Sequence, residues 1–249
     1  MSDKKAKVDY GKIIFTIILL AALVFITEYK AKIEENKNAN EITNTISANI
    51  SIDSIPEYSG ELVIDINNNV PFFTEKEITT DEFEIYSELD SLGRAVVAYA
   101  NVCKNVMPPK GLEREEPLSY KPSGWKQRLY GENKSYHLYE RSHLIAWQLG
   151  NENDNEKNLI TGTYDMNNAM IPFETEVANW IRNKNRKGKD YHVLYRVTPI
   201  YKGNNLVASG VLMEAKSVEE EGISFNKYIY NVQSGIEINY LTGASKEIK

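Results

Sequence analysis

Cysteine, histidine, basic charge and long apolar runs are all scarce in this 249-residue sequence, and each scarcity excludes something. The one cysteine, Cys103, cannot form an internal disulfide, so the chain is not a disulfide scaffold. It follows the apolar run Val96-Val97-Ala98-Tyr99-Ala100, where a buried inert thiol is expected rather than a nucleophile. With 42% hydrophobic and 26% charged residues the chain is globular, neither disordered nor collagen-like nor a polytopic membrane protein. No internal repeat is visible. Basic residues do not dominate: 29 Lys+Arg stand against 35 Asp+Glu, a formal net charge of −6. That excludes a protein whose whole surface attracts nucleic acid, and leaves room for a local basic site. Only three histidines are present, His137, His143 and His192, so general-base chemistry near neutral pH has few places to sit.

The single apolar run lies at the N-terminus. Ile13 to Thr27 carries no charge, follows Lys4, Lys5, Lys7 and Lys12, and precedes Glu28. A basic flank before an apolar run marks a segment that enters the membrane with its N-terminus cytoplasmic. A spanning helix needs ~20 apolar residues. Counting from Tyr10, with Lys12 and Lys30 snorkelling, makes the span feasible. The stretch Thr27 to Lys32 offers no small-residue pair for cleavage, so an uncleaved signal anchor over 13–30 is expected, with a cleaved signal as the alternative. The resulting division is a cytoplasmic basic segment at 1–12, the anchor at 13–30, a spacer at 31–54 and one exported domain at 55–249.

Within that domain the patterning predicts strands, then a helix, then more strands. An apolar strand is expected from Arg94 to Val102, another from Ser135 to Leu149, and a helix from about Tyr164 to Asn183 interrupted at Pro172. His192 to Tyr201 and Leu206 to Lys216 flank Gly203-Asn204-Asn205, a strong hairpin signal. Ser224 to Gln233 and Ile236 to Leu241 are expected to form a second pair around Ser234-Gly235. The class is α+β with antiparallel pairing.

His192 opens a strand and reads as a strand-end residue. His137 and His143 share one segment; if it is extended, His137, Tyr139, Arg141 and His143 point one way. An Arg beside a His suits a phosphate: the guanidinium holds the anion while neutral imidazole accepts a proton from water. The cation also disfavours imidazolium. Alone, the same pattern describes a solvated strand face. Asn158, Asn167 and Glu174 follow His143 by 15, 24 and 31 residues. Asn167 and Glu174 are seven apart and share a face if the helix is unbroken across Pro172. A strand with Arg and His, a loop, then a helix with an amide oxygen and a carboxylate is a ββα-metal layout. Its oxygen ligands suit Mg2+.

On Glu140-Arg141-Ser142-His143, Lys157-Asn158-Leu159-Ile160, Asp165-Met166-Asn167 and Pro172-Phe173-Glu174 the chain resembles the DNA/RNA non-specific endonuclease family, in its secreted or membrane-anchored Gram-positive branch. The resemblance runs from about Ile55 to Gly243 and includes Leu89 to Arg94, Ser123-Gly124-Trp125 and Tyr195 to Thr198. It implies a ββα-metal (His-Me finger) fold. It also implies that His143 is the general base, Asn167 the Mg2+ ligand (Mn2+ being the alternative ion), and Glu174 the acid that orients a water of the metal's shell. Arg141 and Asn158 match positions supporting the phosphate and the site geometry. The family's usual Asp-Arg-Gly-His reads Glu-Arg-Ser-His here, which puts the local backbone at Ser142 and any hydrogen bond of the shorter acid in question.

The implied reaction is attack of water on a phosphodiester, leaving a 5′-phosphate and a 3′-hydroxyl in DNA or RNA. Low sequence preference follows if contacts go to phosphates. Lys126 and Arg128 before the strand, and Arg182 and Arg186 after the helix, are the expected phosphate contacts; the second group equally fits a solvated loop. From Lys121 to Lys202 there are 13 Lys+Arg and 9 Asp+Glu, so the acidity lies elsewhere in the chain. The competing readings are a non-catalytic surface protein that binds DNA and a metal-dependent phosphodiesterase of narrower substrate.

Overall fold

The computed structural model describes residues 16–30, 33, 37, 55–114, 119–185 and 189–248. The basic segment 1–12, nearly all of the 31–54 spacer and Arg186 lie outside the described residues. Residues 16–30 form a helix, α1, whose apolar side chains Ile17, Leu20, Val24 and Phe25 are exposed. At 1.5 Å per residue the described stretch 16–30 spans about 22 Å, and among the described residues no helix is long and apolar enough to cross a membrane.

Dense runs of β-branched and aromatic residues build the central sheet. It is formed by β1 (Val63–Asp65), β2 (Glu84–Tyr86), β3 (Ala98–Val102), β8 (Val193–Ile200), β9 (Gly210–Ser217) and β10 (Ser224–Tyr230). Strand order is β1-β10-β9-β8-β3-β2, antiparallel throughout. The Gly203-Asn204-Asn205 signal is borne out: β8 and β9 pair from Val193↔Ser217 to Ile200↔Gly210.

Alternation along β8 sends side chains to two cores. Val193, Tyr195 and Val197 join the core under the long helix α3 (Tyr164–Asn185), with Met166, Met170, Val177 and Ile181. Leu194 packs oppositely with Val97, Tyr99 and Leu212 beneath Phe72, Phe73 and Phe83. Arg196 lies on this second face, fully buried. Its Nε donates to Glu214 at 2.9 Å, its Nη1 to Glu77 at 2.6 Å, and the rings of Phe73 and Tyr99 lie 4.5 and 5.4 Å from its guanidinium carbon. A buried arginine is tolerable only with such partners.

Apart from the sheet stands a hairpin of β6 (Tyr139–His143) and β7 (Leu159–Thr163), paired from Tyr139↔Thr163 to His143↔Leu159 and leading directly into α3. The link between its strands contains a short helix, α2 (Trp147–Gly150). Buried Asn231 clamps the hairpin to the sheet: its Oδ1 accepts from Thr163 N–H at 2.8 Å, and its Nδ2 donates to Thr161 and Ala208 carbonyls at 3.0 Å. Two small antiparallel pairs, β4 (Leu129–Tyr130) with β5 (Tyr136–His137) and β11 (Ile236–Asn239) with β12 (Ala244–Glu247), complete the domain.

Three expectations need correction. Ser135 to Leu149 is not one strand: it breaks at Leu138, whose N–H bonds Arg128 while β5 and β6 take different partners. His137 is therefore exposed on another ribbon and does not join His143. The segments around Ser234-Gly235 form no hairpin beyond a Gln233↔Ile236 bridge, because β10 is already held on both edges, by β9 and β1. Finally, α3 runs through Pro172 unbroken. The proline is exposed, so water can take the carbonyl left without its N–H partner.

Candidate functional site

The site is built where the linked end of the β6–β7 hairpin, which carries His143, lies beside α3 as that helix runs back along the hairpin. His143 ends β6, buried, with Nε2 2.7 Å from the Asn153 carbonyl. A carbonyl can only accept, so Nε2 carries the proton and Nδ1 is left as the basic nitrogen. Burial lowers the imidazole pKa to about 4; the carbonyl contact opposes this, and the Arg114 charge adds to it. At neutral pH the ring is therefore uncharged. Arg114 is itself tied to this loop, its Nε donating to Asn153 Oδ1 at 2.8 Å.

Two residues earlier, Arg141 is half-buried on the same strand. Its Nε donates to the Tyr120 carbonyl and its guanidinium lies over Trp125, 4.6 Å from the ring centre. These contacts fix the plane of the fork, and its terminal N–H groups carry no hydrogen bond among the described residues. Trp125 is placed by its turn: Ser123 donates through Oγ to Leu206 O at 2.7 Å, and Gly124, at φ +71°, passes so close to Val207 that a Cβ would sit 2.5 Å from it.

The backbone at Ser142 is ordinary strand, paired to Ile160. Its hydroxyl takes space that Gly162 leaves empty; a Cβ at Gly162 would come within 2.1 Å of Ser142 Oγ. The serine is thus accommodated by a glycine across the hairpin, without a left-handed backbone.

Asn158 is fully buried and its amide is spent on Ile145. Oδ1 accepts from Ile145 N–H at 2.8 Å and Nδ2 donates to Ile145 O at 2.9 Å, while the Asn158 carbonyl accepts from Leu144 N–H at 2.9 Å. It pins the chain leaving His143 and supports geometry rather than touching phosphate.

Because α3 is continuous, Asn167 and Glu174 share a face two turns apart. Glu174 is buried and α3 packs against α2, which holds Gln148 just beyond His143, so α3 doubles back toward the histidine end of the hairpin. Burial raises its carboxyl pKa to about 7, and the Gln148 bond only partly offsets this. Asn167 is half-buried, and its amide has no hydrogen bond among the described residues.

The expected phosphate contacts divide. Lys126 is exposed and shares a shallow cleft with Lys121 and Trp125, beside Arg141. Arg128 turns away: its Nη1 donates to Ser245 O at 2.7 Å and it packs over Tyr130. Arg182 is exposed near the end of α3, about 12 Å along the helix from Glu174. Arg186 lies outside the described residues. The Asn153 carbonyl, Arg114, Tyr120, Trp125 and Gln148 act at the site without having been assigned a role from sequence. Backbone acceptors leave no side-chain signature, and Arg114 sits in a charged loop that gives no local cue.

Comparison with known proteins fits this architecture. The deoxyribonuclease of Streptococcus dysgalactiae subsp. equisimilis is 28% identical over 210 residues, covering 68% of this chain and 62% of that protein. The chain therefore spans less than two thirds of that relative's length. NucA from Streptococcus agalactiae, solved with magnesium bound, superposes with a TM-score of 0.66 at 22% identity, over 84% of this chain and 96% of that one. The Sda1 nuclease, solved with a bound zinc ion, gives 0.62 at 22% identity, over 80% and 100%. These likenesses bear on fold. The model of the DNA/RNA non-specific endonucleases matches residues 74–219, more than half of the chain and including the hairpin and helix just described, and the chain belongs to that family.

Proposed function

We propose that this chain is an exported, membrane-anchored, Mg2+-dependent endonuclease that hydrolyses phosphodiester bonds of DNA and RNA without sequence preference. The observation that carries the reading is His143: buried, neutral, protonated on Nε2 toward the Asn153 carbonyl, and beside a guanidinium fixed by Trp125 and Tyr120. Phosphate binding alone needs no such base.

The donor set fits a hard cation. Asn167 offers an amide oxygen with no competing hydrogen bond among the described residues, and Glu174 a carboxylate on the same face; one or two protein oxygens plus water suit Mg2+, with Mn2+ as the alternative. When bound, the ion supplies Lewis-acid stabilisation of charge on the phosphoryl group and the leaving oxygen. The chain's own residues do the rest. Arg141 holds the anionic phosphate through its terminal N–H groups, and Lys126 adds charge at the cleft edge. Nδ1 of His143 takes the proton of the attacking water, while the Asn153 carbonyl steadies the imidazolium through Nε2–H. A base of pKa about 4 is weak, and the substrate's negative charge would raise it toward the working range. Glu174, as acceptor, orients water. Contacts to phosphate rather than base edges account for tolerance of DNA and RNA alike.

The lysine-flanked N-terminal segment, with the exposed apolar side chains of α1, supports anchoring with the domain outside the membrane. Purified full chain should degrade plasmid DNA and RNA with Mg2+ and stop on chelation, and should fractionate with membranes. Binding of DNA with no cleavage under any divalent ion would favour the non-catalytic reading instead.

A further inference from the structure

Three neighbouring strands deliver a second set of ligands at one end of the central sheet, on elements the nuclease chemistry does not use. Glu82 lies just before β2, Cys103 just after β3 and His192 just before β8. The antiparallel registers Glu84↔Ala100 and Val102↔Val193 bring these three ends together. One ligand atom from each lies within 4.8 Å of the others. Tetrahedral zinc asks for separations of about 3.5 Å between sulfur and nitrogen or oxygen ligands, a closing movement that strand-end side chains can make.

The surroundings favour this use. Glu219 holds His192 at two points, its Oε1 2.5 Å from Nδ1 and its Oε2 accepting the His192 backbone N–H at 2.9 Å. That leaves Nε2 for a metal, with a carboxylate behind the imidazole, the arrangement that orients metal-binding histidines. Burial pushes the Cys103 thiol pKa up and the Glu82 carboxylate adds to this, with the backbone N–H groups of Asn105 and Val106 opposing; a bound cation would offset the burial and hold the thiolate. Asn105 Nδ2 donates to Glu82 Oε1 at 2.7 Å, fixing that carboxylate while its second oxygen remains. Cys103 and His192 are buried and Glu82 is exposed, so the cluster opens to solvent on one side.

We propose that Glu82, Cys103 and His192 form a zinc site separate from the nuclease centre, with water in the fourth position. A thiolate, an imidazole and a carboxylate select zinc over magnesium. Binding replaces the Cys103 S–H bond by an S–metal bond and releases its proton to solvent. By joining the ends of β2, β3 and β8, the ion stabilises the sheet. It also gives Cys103 and His192 a role that their positions after and before apolar runs did not suggest.

The test uses full chain carrying His143→Ala and Asn167→Ala, so that the nuclease centre contributes no metal. Cobalt should give a near-ultraviolet thiolate-to-cobalt absorption at one equivalent. Zinc should displace it and raise the melting temperature by roughly 5–10 °C when in large excess over its dissociation constant. Adding Cys103→Ser should abolish the absorption and the zinc-dependent shift, and His192→Gln should weaken zinc at least tenfold. Each variant's metal-free melt reports whether it is folded. No thiolate absorption in the Cys103 parent, or a zinc shift unchanged by Cys103→Ser, would overturn the proposal.

Discussion

Replacing Asn158 with alanine tests how the base is positioned. The side chain is fully buried and makes two hydrogen bonds, at 2.8 and 2.9 Å, to the backbone of Ile145. Alanine leaves a buried N–H and a buried C=O without partners, each costing about 1–3 kcal/mol. The sum is about 2–6 kcal/mol, lowering the melting temperature by roughly 5–20 °C in a domain of this size. Asn158→Asp is the informative companion. It keeps an acceptor for Ile145 N–H but sets a carboxylate oxygen against the Ile145 carbonyl, so it should be no milder than alanine. Thermal melts by circular dichroism measure the loss. Plasmid cleavage well below the melting point should also fall, because the pinned segment begins at Leu144, directly after His143. A melting temperature within ~2 °C of wild type for both variants would refute the reasoning.

Other consequences follow from the same geometry. Arg196→Met leaves Glu214 and Glu77 without their cation in the buried face of the sheet and should cost about 3–5 kcal/mol in urea denaturation; a loss below ~1 kcal/mol would contradict the buried ion pairs. Arg141→Lys removes the donor to Tyr120 and the planar contact with Trp125, and should lower kcat/KM for DNA about tenfold or more while the fold persists; unchanged kcat/KM would remove Arg141 from the site. The native carboxyl of Glu174 has a pKa of about 7 against an ordinary 4.5, so the folded chain holds the extra proton between those values. Its contribution therefore weakens stability as pH rises from 4.5 through 7, by about 3 kcal/mol at most. His143, at about 4 against 6.5, acts with the opposite sign and weakens stability as pH falls from 6.5 toward 4. With chelator present, Glu174→Gln should remove the first dependence, and an unaltered slope between pH 5 and 7 would contradict the carboxyl assignment.

What could be read from sequence was local. The β8–β9 hairpin announced itself in Gly203-Asn204-Asn205, and the helix in the spacing that puts Asn167 and Glu174 on one face. His143 and Arg141 were identifiable because a short strand and the resemblance motif place them two apart. The misreadings came from competition between partners. Leu138 looked like the middle of a strand, but its N–H is taken by Arg128, so His137 was grouped with residues it never joins. Ser234-Gly235 looked like a hairpin turn, yet β10 already has both neighbours. Pro172 looked like a stop, but it faces solvent and α3 continues. The Asn153 carbonyl behind His143 and the Trp125 ring under Arg141 arise from chain folding between distant segments, which no local pattern records.

The central claim is that His143 is a base and not merely part of a binding surface, and cleavage and binding by His143→Ala beside wild type measure it directly. With Mg2+, the variant should cut plasmid DNA at least ~100-fold more slowly, the usual worth of a positioned general base. Its affinity for the same DNA should stay within about threefold, because the proposed phosphate contacts fall to Arg141 and Lys126. Cleavage at the wild-type rate by a folded His143→Ala protein would contradict the account.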